Sequence, residues 1–388
     1  MLAKWRTVGG PGASYMFEHF PSLRARKMAA PREWILALVL LIIVNLSLKA
    51  SSTSSIGVNY GRMSDNLPSP AQAAQLLIQH GITKVKLYDA DPSVISAFAS
   101  TGIQIAVSMY NEVIWQLASS QEQADSWLAS AILPHLAANA SIEMILLGNE
   151  VLTRADPALA PQLVPAMRNL HKTLVTRGLD SRIKLTTSHA MDVLDFSRSF
   201  PPSAGIFRPG MEETMKPLLD FLAETSSPFL IDAYPYFAYR DDKGEHIDLE
   251  FALLDPNSSG TTDWITGLHY PTMLDAQVDT IYAAMGRLGY GNGEVRVIVG
   301  ETGWPSAGDE RNFGAGMENA RKFVQNLVRR QQQGLGTPLH PQVSIESYIF
   351  ALFNEDLKQG STAERNFGLF YPNMTQVYSV EFSLNMFK

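Results

Sequence analysis

After residue 54 the sequence alternates between short apolar runs and longer stretches in which apolar residues recur at helical spacing. The apolar runs fall near residues 55–60, 83–88, 103–109, 143–149, 183–188, 228–234, 295–300 and 344–353. The amphipathic stretches that separate most of them cover residues 70–80, 92–100, 122–138, 161–178, 214–225, 273–289 and 315–333. Strands that alternate with helices in this way predict an α/β fold, a parallel sheet covered by helices.

Eight such units favour one α/β fold in particular, the single (β/α)8 or TIM barrel. A doubly wound sheet is the alternative, but residues 57–63, "GVNYGRM", lack the glycine spacing of a dinucleotide-binding turn. The long, aromatic segment 235–272 is predicted to be an excursion between the sixth strand and its helix. Because no proline- or serine-rich linker divides the chain after residue 60, residues 51–388 are predicted to form one barrel domain.

Residues directly after the predicted strands are the candidate functional residues, because a barrel carries its site at the C-terminal ends of its strands. These positions hold carboxylates, amides and aromatic rings, which together predict a cleft that binds sugars through ring stacking and hydroxyl contacts. The candidate sugar-binding residues are Tyr60, Tyr88, Asn149, Asp232, Tyr234, Phe237, Trp304 and Phe353. Packing in the core is the alternative role for the rings.

Two glutamates at predicted strand ends are the candidate catalytic residues. Glu150 follows the run "EMILLGN" and Glu301 follows "VIVG", so both would lie on one rim of the barrel. Hydrolysis of a glycosidic bond needs such a pair, one carboxyl protonated and the other ionised. For either glutamate alone, a helix N-terminal charge or a salt-bridge partner is the alternative. Glu355 and Lys358 also follow a predicted strand, the eighth, and an exposed helical ion pair is their alternative role.

Composition and motifs limit the kinds of partner and metal site that this protein can have. The chain has 388 residues, a formal net charge of −7 and no cysteine, so nucleic acid is not an expected partner and disulfides and thiolate metal sites are excluded. The eight histidines show no HExxH motif, and Asp89-Ala-Asp91 is too sparse for a metal cluster. We therefore expect no metal and no cofactor, a polysaccharide as the partner, and a monomer.

Residues 1–50 have the layout of a targeting segment. The apolar run 35–44, "ILALVLLIIV", is short for a membrane span, follows several basic residues and precedes small polar ones. We predict a secretory signal cleaved near Ala50 and a protein of the cell exterior or cell wall. The vacuole is an alternative destination, and an uncleaved membrane anchor is another reading. Sequons at Asn139, Asn257 and Asn373 predict glycosylation.

Seven segments of the chain form an ordered set of motifs. They are "IGVNYGR" at 56–62, "VKLYDADP" at 85–92, "LLGNEV" at 146–151, "AYPYFAY" at 233–239, "VIVGETGWPS" at 297–306, "FALFNEDLK" at 350–358 and "ERNFGLFYPN" at 364–373. In these segments the chain resembles the plant endo-β-1,3-glucanases of glycoside hydrolase family seventeen. The resemblance covers roughly residues 55–378 and implies a (β/α)8 barrel with a long open groove that hydrolyses internal β-1,3-glucosidic bonds with retention.

The resemblance also implies roles for individual residues. It makes Glu150 the general acid/base and Glu301 the nucleophile, with Glu355 and Lys358 assisting, and it makes Tyr88 and Phe237 substrate-binding.

The sequence departs from the family's pattern at two positions. Lys86 stands where many members have arginine, and Asp232 stands where asparagine is usual. An ionised aspartate cannot donate a hydrogen bond, so one sugar contact or its pH range differs. Two alternative functions stay open: a mixed-linkage β-1,3/1,4-glucanase, and a catalytically silent glucan-binding wall protein.

Overall fold

The computed structural model describes residues 56–382, so the targeting segment predicted for residues 1–50 lies outside the described residues. The strands are β1 (Gly57–Tyr60), β2 (Lys84–Leu87), β3 (Gln104–Met109), β4 (Ser141–Asn149), β5 (Lys184–Ala190), β6 (Phe229–Asp232), β7 (Thr261–Thr262), β8 (His269–Tyr270), β9 (Val297–Thr302) and β10 (Ser347–Ile349). The α-helices are α1 (Pro70–Gln79), α2 (Pro92–Ala97), α3 (Val113–Ser119), α4 (Gln121–Ala131), α5 (Leu133–Ala137), α6 (Val151–Arg154), α7 (Ala160–Thr176), α8 (Glu212–Thr225), α9 (Pro235–Asp242), α10 (Leu249–Ala252), α11 (Met273–Arg287) and α12 (Met317–Gln332).

Eight strands form a closed, all-parallel barrel in the order β1-β2-β3-β4-β5-β6-β9-β10, with β10 pairing back to β1. The closing register places Gly57 opposite Tyr348, and a Cβ at residue 57 would collide with the Tyr348 ring. Each barrel strand coincides with one of the eight apolar runs, so the TIM barrel is confirmed.

The barrel interior changes from apolar to polar toward the C-terminal ends of the strands. One interior cluster consists of Ala106, Met144, Leu146, Leu230, Ile298 and Tyr348. Because strand side chains alternate, the next inward positions lie two residues further on and include Ser108, Asp232 and Gly300. The outward side chains pack in a larger apolar cluster that includes residues of the surrounding helices. Small and polar residues at the top of the barrel therefore leave room for a site there.

The structure adds elements that the hydrophobic pattern does not predict. The excursion 235–272 contains α9, α10 and the antiparallel pair β7–β8. The stretch 122–138 forms two helices, because Pro134 has no N–H to donate to the carbonyl four residues earlier and its ring crowds that carbonyl, so the first helix ends before it and Pro134 lies in the first turn of the second. Within residues 56–382, every helix is too short or too polar to span a membrane.

Candidate active site

Glu301 lies near the C-terminal end of β9 and is held by three side chains. Its Oε1 accepts hydrogen bonds from Lys86 Nζ at 2.8 Å and from the Tyr88 hydroxyl at 2.6 Å. Its Oε2 accepts a bond from the Tyr234 hydroxyl at 3.0 Å. Donors from β2 and from the loop after β6 thus fix the carboxylate on two sides.

These donors determine the charge of Glu301. Burial alone would raise the pKa of Glu301, but the Lys86 ammonium and the hydrogen bonds from Lys86 and Tyr88 outweigh it and lower the pKa below its ordinary value. The Lys86 side chain is fully buried. Burial opposes its charge, yet the charge of Glu301 and the hydrogen bond to it raise the pKa of Lys86. The result is a buried ion pair with an anionic Glu301.

Glu150 follows β4 on an unusual backbone. Gly148 has φ 71° and Glu150 has φ 50°, both in the left-handed region. The Asn111 side chain bridges both backbone groups of Asn149, since its Oδ1 accepts from N at 2.8 Å and its Nδ2 donates to O at 3.3 Å. The Glu150 N–H donates to the Ser188 carbonyl at 3.0 Å. These contacts hold the chain in the bend that turns Glu150 over the barrel.

The environment of Glu150 favours its protonated form. Burial and the charge of Glu301 raise the pKa of Glu150 to about 7, against the weaker opposing effect of Arg154. Arg154 Nε lies 3.8 Å from Glu150 Oε2, and Arg154 Nη2 lies 3.1 Å from Asp192 Oδ2. Arg154 is therefore shared between two carboxylates. The two candidate catalytic glutamates thus have pKa values displaced in opposite directions.

Glu355 and Lys358 form a second acidic–basic pair beside this site. Glu355 is 2% exposed and neither residue lies in a helix, so the exposed helical ion pair is excluded. Glu355 Oε1 accepts from the Met63 N–H at 2.8 Å, and its Oε2 lies 3.8 Å from Lys358 Nζ. Burial raises the pKa of Glu355, with Lys358 opposing it. Lys358 Nζ also lies 3.9 Å from the centroid of the Phe350 ring.

A groove runs over the barrel mouth as two cavities that share Glu150. The first, of about 650 Å³, is lined by residues that include Tyr88, Asn149, Glu150, Glu301, Glu355 and Lys358. The second, of about 590 Å³, is lined by residues that include Glu150, Arg154, Asp192, Asp232, Tyr234 and Phe237. Most of the candidate site residues therefore lie together. Among residues 56–382, no group of three or more histidine or acidic side chains is arranged to hold a metal ion.

Three predicted sugar-binding rings lie in the core instead. Trp304 is 1% exposed, donates from Nε1 to the Gly314 carbonyl at 2.8 Å, and packs on Tyr236 with ring centroids 5.2 Å apart. Phe353 and Tyr60 are 1% and 2% exposed and contact each other edge-on at 6.0 Å. Neighbouring groups cover all three rings in this structure, as expected for the alternative role of packing in the core.

Some site residues had no predicted role. Lys86 appeared only as a departure from a family pattern, although it precedes Tyr88 by two positions and alternation puts both on one strand face. Asn111 also follows a strand, yet its contact with the backbone of Asn149 depends on the fold. Arg154 lies in α6, and Asp192 lies two residues after β5, whose predicted run ended at residue 188, so neither was singled out as a strand-end residue.

Two carboxyl groups lie over the mouth of the barrel, one with a raised pKa and the other with a lowered pKa. Such a pair suits the cleavage of a glycosidic bond and is typical of barrel-type glycoside hydrolases. The chain belongs to glycosyl hydrolases family 17, whose sequence profile matches residues 56–382. It is 44% identical over 351 residues to glucan endo-1,3-beta-glucosidase 11 of Arabidopsis thaliana, covering 90% of this chain and 80% of that protein. It is 42% identical over 346 residues to glucan endo-1,3-beta-D-glucosidase of Olea europaea, covering 89% and 74%.

Solved structures agree with this assignment. CJP38, a beta-1,3-glucanase and allergen of Cryptomeria japonica pollen, superposes with a TM-score of 0.79 at 39% identity, covering 85% of this chain and all of that one. A plant beta-glucan endohydrolase, one of two described as having distinct substrate specificities, superposes with a TM-score of 0.76 at 38% identity, covering 84% and 100%.

Proposed function

We propose that the protein is an endo-acting, retaining hydrolase of internal β-1,3-glucosidic bonds in a callose- or laminarin-like polysaccharide. The observation that carries this proposal is that the pKa of Glu150 is raised while the pKa of Glu301 is lowered. A pKa of about 7 keeps much of Glu150 protonated near neutral pH, whereas the lowered pKa of Glu301 keeps it ionised. Relatives named as glucan endo-1,3-beta-glucosidases, at 42–44% identity, support the substrate.

In the first step, a carboxylate oxygen of Glu301 bonds to the anomeric carbon while the bond from that carbon to the leaving oxygen breaks. Glu150 gives its proton to the leaving oxygen, so the departing chain leaves as a neutral alcohol. Lys86, Tyr88 and Tyr234 orient the nucleophile through the three hydrogen bonds described above. The product of this step is a glycosyl ester on Glu301 and an ionised Glu150.

In the second step, Glu150 takes a proton from water, and the water oxygen bonds to the anomeric carbon as the ester bond breaks. The charge of Glu301 is one cause of the raised pKa of Glu150. Because the ester carries no charge, that repulsion disappears and the pKa of Glu150 falls during the lifetime of the intermediate. The same carboxyl group is thereby an acid in the first step and a base in the second.

The groove supports cleavage within a chain rather than at its end. The cavity with both glutamates suits the sugar that is attacked, because the nucleophile must reach its anomeric carbon. The cavity that contains Glu150 without Glu301 suits the leaving sugars. Space on both sides of the acid accommodates a polysaccharide that continues in both directions.

The stereochemistry of the product tests the mechanism. Proton NMR during hydrolysis of laminarin should show the β-anomer of the new reducing end first, with the α-anomer appearing only through mutarotation. The α-anomer as first product would overturn retention. An experimental structure should place the two carboxyl groups about 5–5.5 Å apart, whereas a separation beyond about 6.5 Å would indicate inversion.

Substrate profiling separates the proposed activity from its alternatives. The rate of release of reducing ends should be higher on laminarin than on a mixed-linkage β-1,3/1,4-glucan. The reverse preference would make the protein a mixed-linkage enzyme. Binding of laminarin without any release of reducing ends would make it a catalytically silent glucan-binding protein.

We also propose that the protein is secreted to the cell wall and glycosylated. Asn139, Asn257 and Asn373 are all exposed, so attached glycans would not disturb the core. Mass spectrometry of the secreted protein should find a new N-terminus near Ala50 and glycans at the three sequons. Retention of residues 1–50 on a protein that resists carbonate extraction from membranes would instead favour the uncleaved anchor.

A further inference from the structure

Asp232 is a buried carboxyl group for which the proposed catalytic steps have no use. It is the last residue of β6, is 4% exposed, and lines the cavity of about 590 Å³ beside Glu150. Neither of its carboxyl oxygens has a hydrogen-bond partner among the described residues. A Cβ at residue 300 would lie 2.7 Å from Asp232 Oδ1, so Gly300 provides the space that this carboxyl group occupies.

The charges around Asp232 do not balance if it is ionised. The charged and titratable groups that act on it are Lys86 of β2, Glu301 of β9, and Tyr88, Glu150 and Tyr234, which follow β2, β4 and β6. Two arginines also line the cavity, but each is already paired, Arg154 with Asp192 and Arg240 with Asp241. Lys86 is the cation of this group, and its ammonium already lies 2.8 Å from Glu301 Oε1. An ionised Asp232 would add another buried anion with no counter-charge, which is costly inside a protein.

We propose that Asp232 acts as a neutral carboxylic acid whose O–H donates a hydrogen bond to a hydroxyl group of the sugar in the 590 Å³ cavity. This role rests on the proposed function, since the ligand is the glucan chain. Desolvation, followed by the charge of Glu301, raises the pKa of Asp232 well above its ordinary value, in agreement with the charge balance. In its neutral state Asp232 supplies a donor without opposing the ionisation of Glu301.

Two substitutions separate the donor from the charge. D232N keeps a neutral donor of similar shape, whereas D232L is also neutral but cannot donate. We expect D232N to lower kcat/KM on laminarin a few-fold, and D232L to lower it at least about tenfold further, as the loss of one hydrogen bond predicts. Equal losses in the two variants would overturn the donor role, as would wild-type values for D232L.

The pH dependence of stability tests the protonation state without turnover. The folded-state pKa of Asp232 is raised, so its contribution to stability is fully present below the unfolded pKa of about 3.9 and is lost as pH rises toward the folded pKa. Asparagine does not titrate. The melting temperature of D232N minus that of the wild type should therefore increase between pH 4 and pH 8.

Asp263 provides a matched control of opposite sign. It is fully buried, but its oxygens accept from the N–H groups of Ser203, Ile265 and Thr266 at 2.8–3.0 Å. Burial opposes the charge, yet these bonds lower the pKa of Asp263. Its stabilisation is present above the unfolded pKa and lost on acidification, so D263N should lose more stability at pH 8 than at pH 4. If D232N followed D263N in sign, Asp232 would be ionised and the proposal would be wrong.

These experiments also distinguish this inference from the proposed function. A wild-type enzyme that released no reducing ends from laminarin would refute the function. The melting comparison would still report the protonation of Asp232. The donor role would then be measured by calorimetric affinity for a laminari-oligosaccharide, where a difference of less than about tenfold between D232N and D232L would overturn it.

Discussion

The two ends of the barrel carry similar lysine–glutamate pairs that are put to different uses. Lys84 and Lys86 lie two residues apart on β2, on the same side of the strand. Lys84 Nζ is 2.7 Å from Glu346 at one end, and Lys86 Nζ is 2.8 Å from Glu301 toward the other. The two lysines thus share one face of the strand and differ in the end of the barrel that each lies nearer.

The difference lies in the balance of charge around each pair. Glu346 receives a second cation, since Arg296 Nη2 lies 3.2 Å from its other oxygen. At the opposite end the ammonium of Lys86 faces three carboxyl groups, those of Glu301, Glu150 and Asp232, and Arg154 beside Glu150 is shared with a fourth, that of Asp192. Around Glu346 the cations suffice, and the charged groups form ordinary ion pairs. Around Lys86 the cations are too few, so some carboxyl groups stay protonated near neutral pH, and a protonated carboxyl group can act as an acid catalyst.

The largest difference between the two ends should appear when the glutamate that pairs with each lysine, Glu301 or Glu346, is made neutral. Glu301→Gln is expected to lower kcat on laminarin by a factor on the order of 10⁵–10⁶, because no other group replaces the nucleophile. Mass spectrometry with a slow activated fluoroglycoside should detect no glycosyl-enzyme. Glu346→Gln is the control at the other end and should keep wild-type kcat. A trapped intermediate in Glu301→Gln would contradict the assignment.

Substitution of the acid should produce a loss that depends on the leaving group. Glu150→Gln should lower kcat on laminarin about 10²–10⁴-fold, because the alkoxide leaves without a proton. An aryl glycoside with a good leaving group should form the glycosyl-enzyme at nearly the wild-type rate. Azide should then accelerate turnover and yield a glycosyl azide, because this anion needs no general base. The same loss on both substrates would mean that Glu150 is not the acid.

The two lysines of β2 allow a direct comparison of the barrel ends. Lys86→Met leaves Glu301 buried without its cation, so we expect a loss of up to about 3–5 kcal/mol in the free energy of unfolding. That loss should grow as pH rises, because the pKa of Glu301 would then be raised rather than lowered. Lys84→Met leaves Glu346 with Arg296, so we expect a smaller loss of about 1–3 kcal/mol from this part-buried pair.

Denaturant unfolding at several pH values measures the loss of stability in each lysine variant, and enzyme kinetics give a second measurement. The acid limb of kcat/KM should move toward neutral pH in Lys86→Met and stay in place in Lys84→Met. Equal stability losses and unchanged acid limbs in both variants would mean that the two ends do not differ as described.

The smallest expected effect concerns the pair beside the site. Glu355→Gln keeps an oxygen that can accept from the Met63 N–H and removes only the charge facing Lys358. Because Glu355 forms no bond to the sugar carbon, we expect a loss of about tenfold or less in kcat/KM on laminarin and on an activated aryl glycoside. A loss as large as that of Glu301→Gln on the activated substrate would give Glu355 a role in bond formation.

The sequence predicted best the features that are determined by a local pattern of residues. Apolar runs between amphipathic stretches located all eight barrel strands, because a buried parallel strand requires a continuous apolar sequence. The strand-end rule then placed Glu150 and Glu301 at one rim, since parallel strands in a barrel all end on the same side.

Other features depend on contacts between distant residues, and local pattern does not encode them. Trp304 was expected beside the sugar, yet Tyr236 and the carbonyl of Gly314 hold its indole in the core. The pairing of Lys86 with Glu301 joins residues 215 positions apart.

The left-handed backbone at Glu150 has an evolutionary consequence. A non-glycine residue in this region costs about 1–2 kcal/mol relative to ordinary helical backbone, and glycine largely avoids that cost. Selection for a robust fold and selection for an acid therefore oppose each other at this one codon. In a lineage released from selection for turnover, we expect glycine or asparagine to replace this glutamate early. The identity of residue 150 would then mark descendants that have kept the barrel but lost its chemistry.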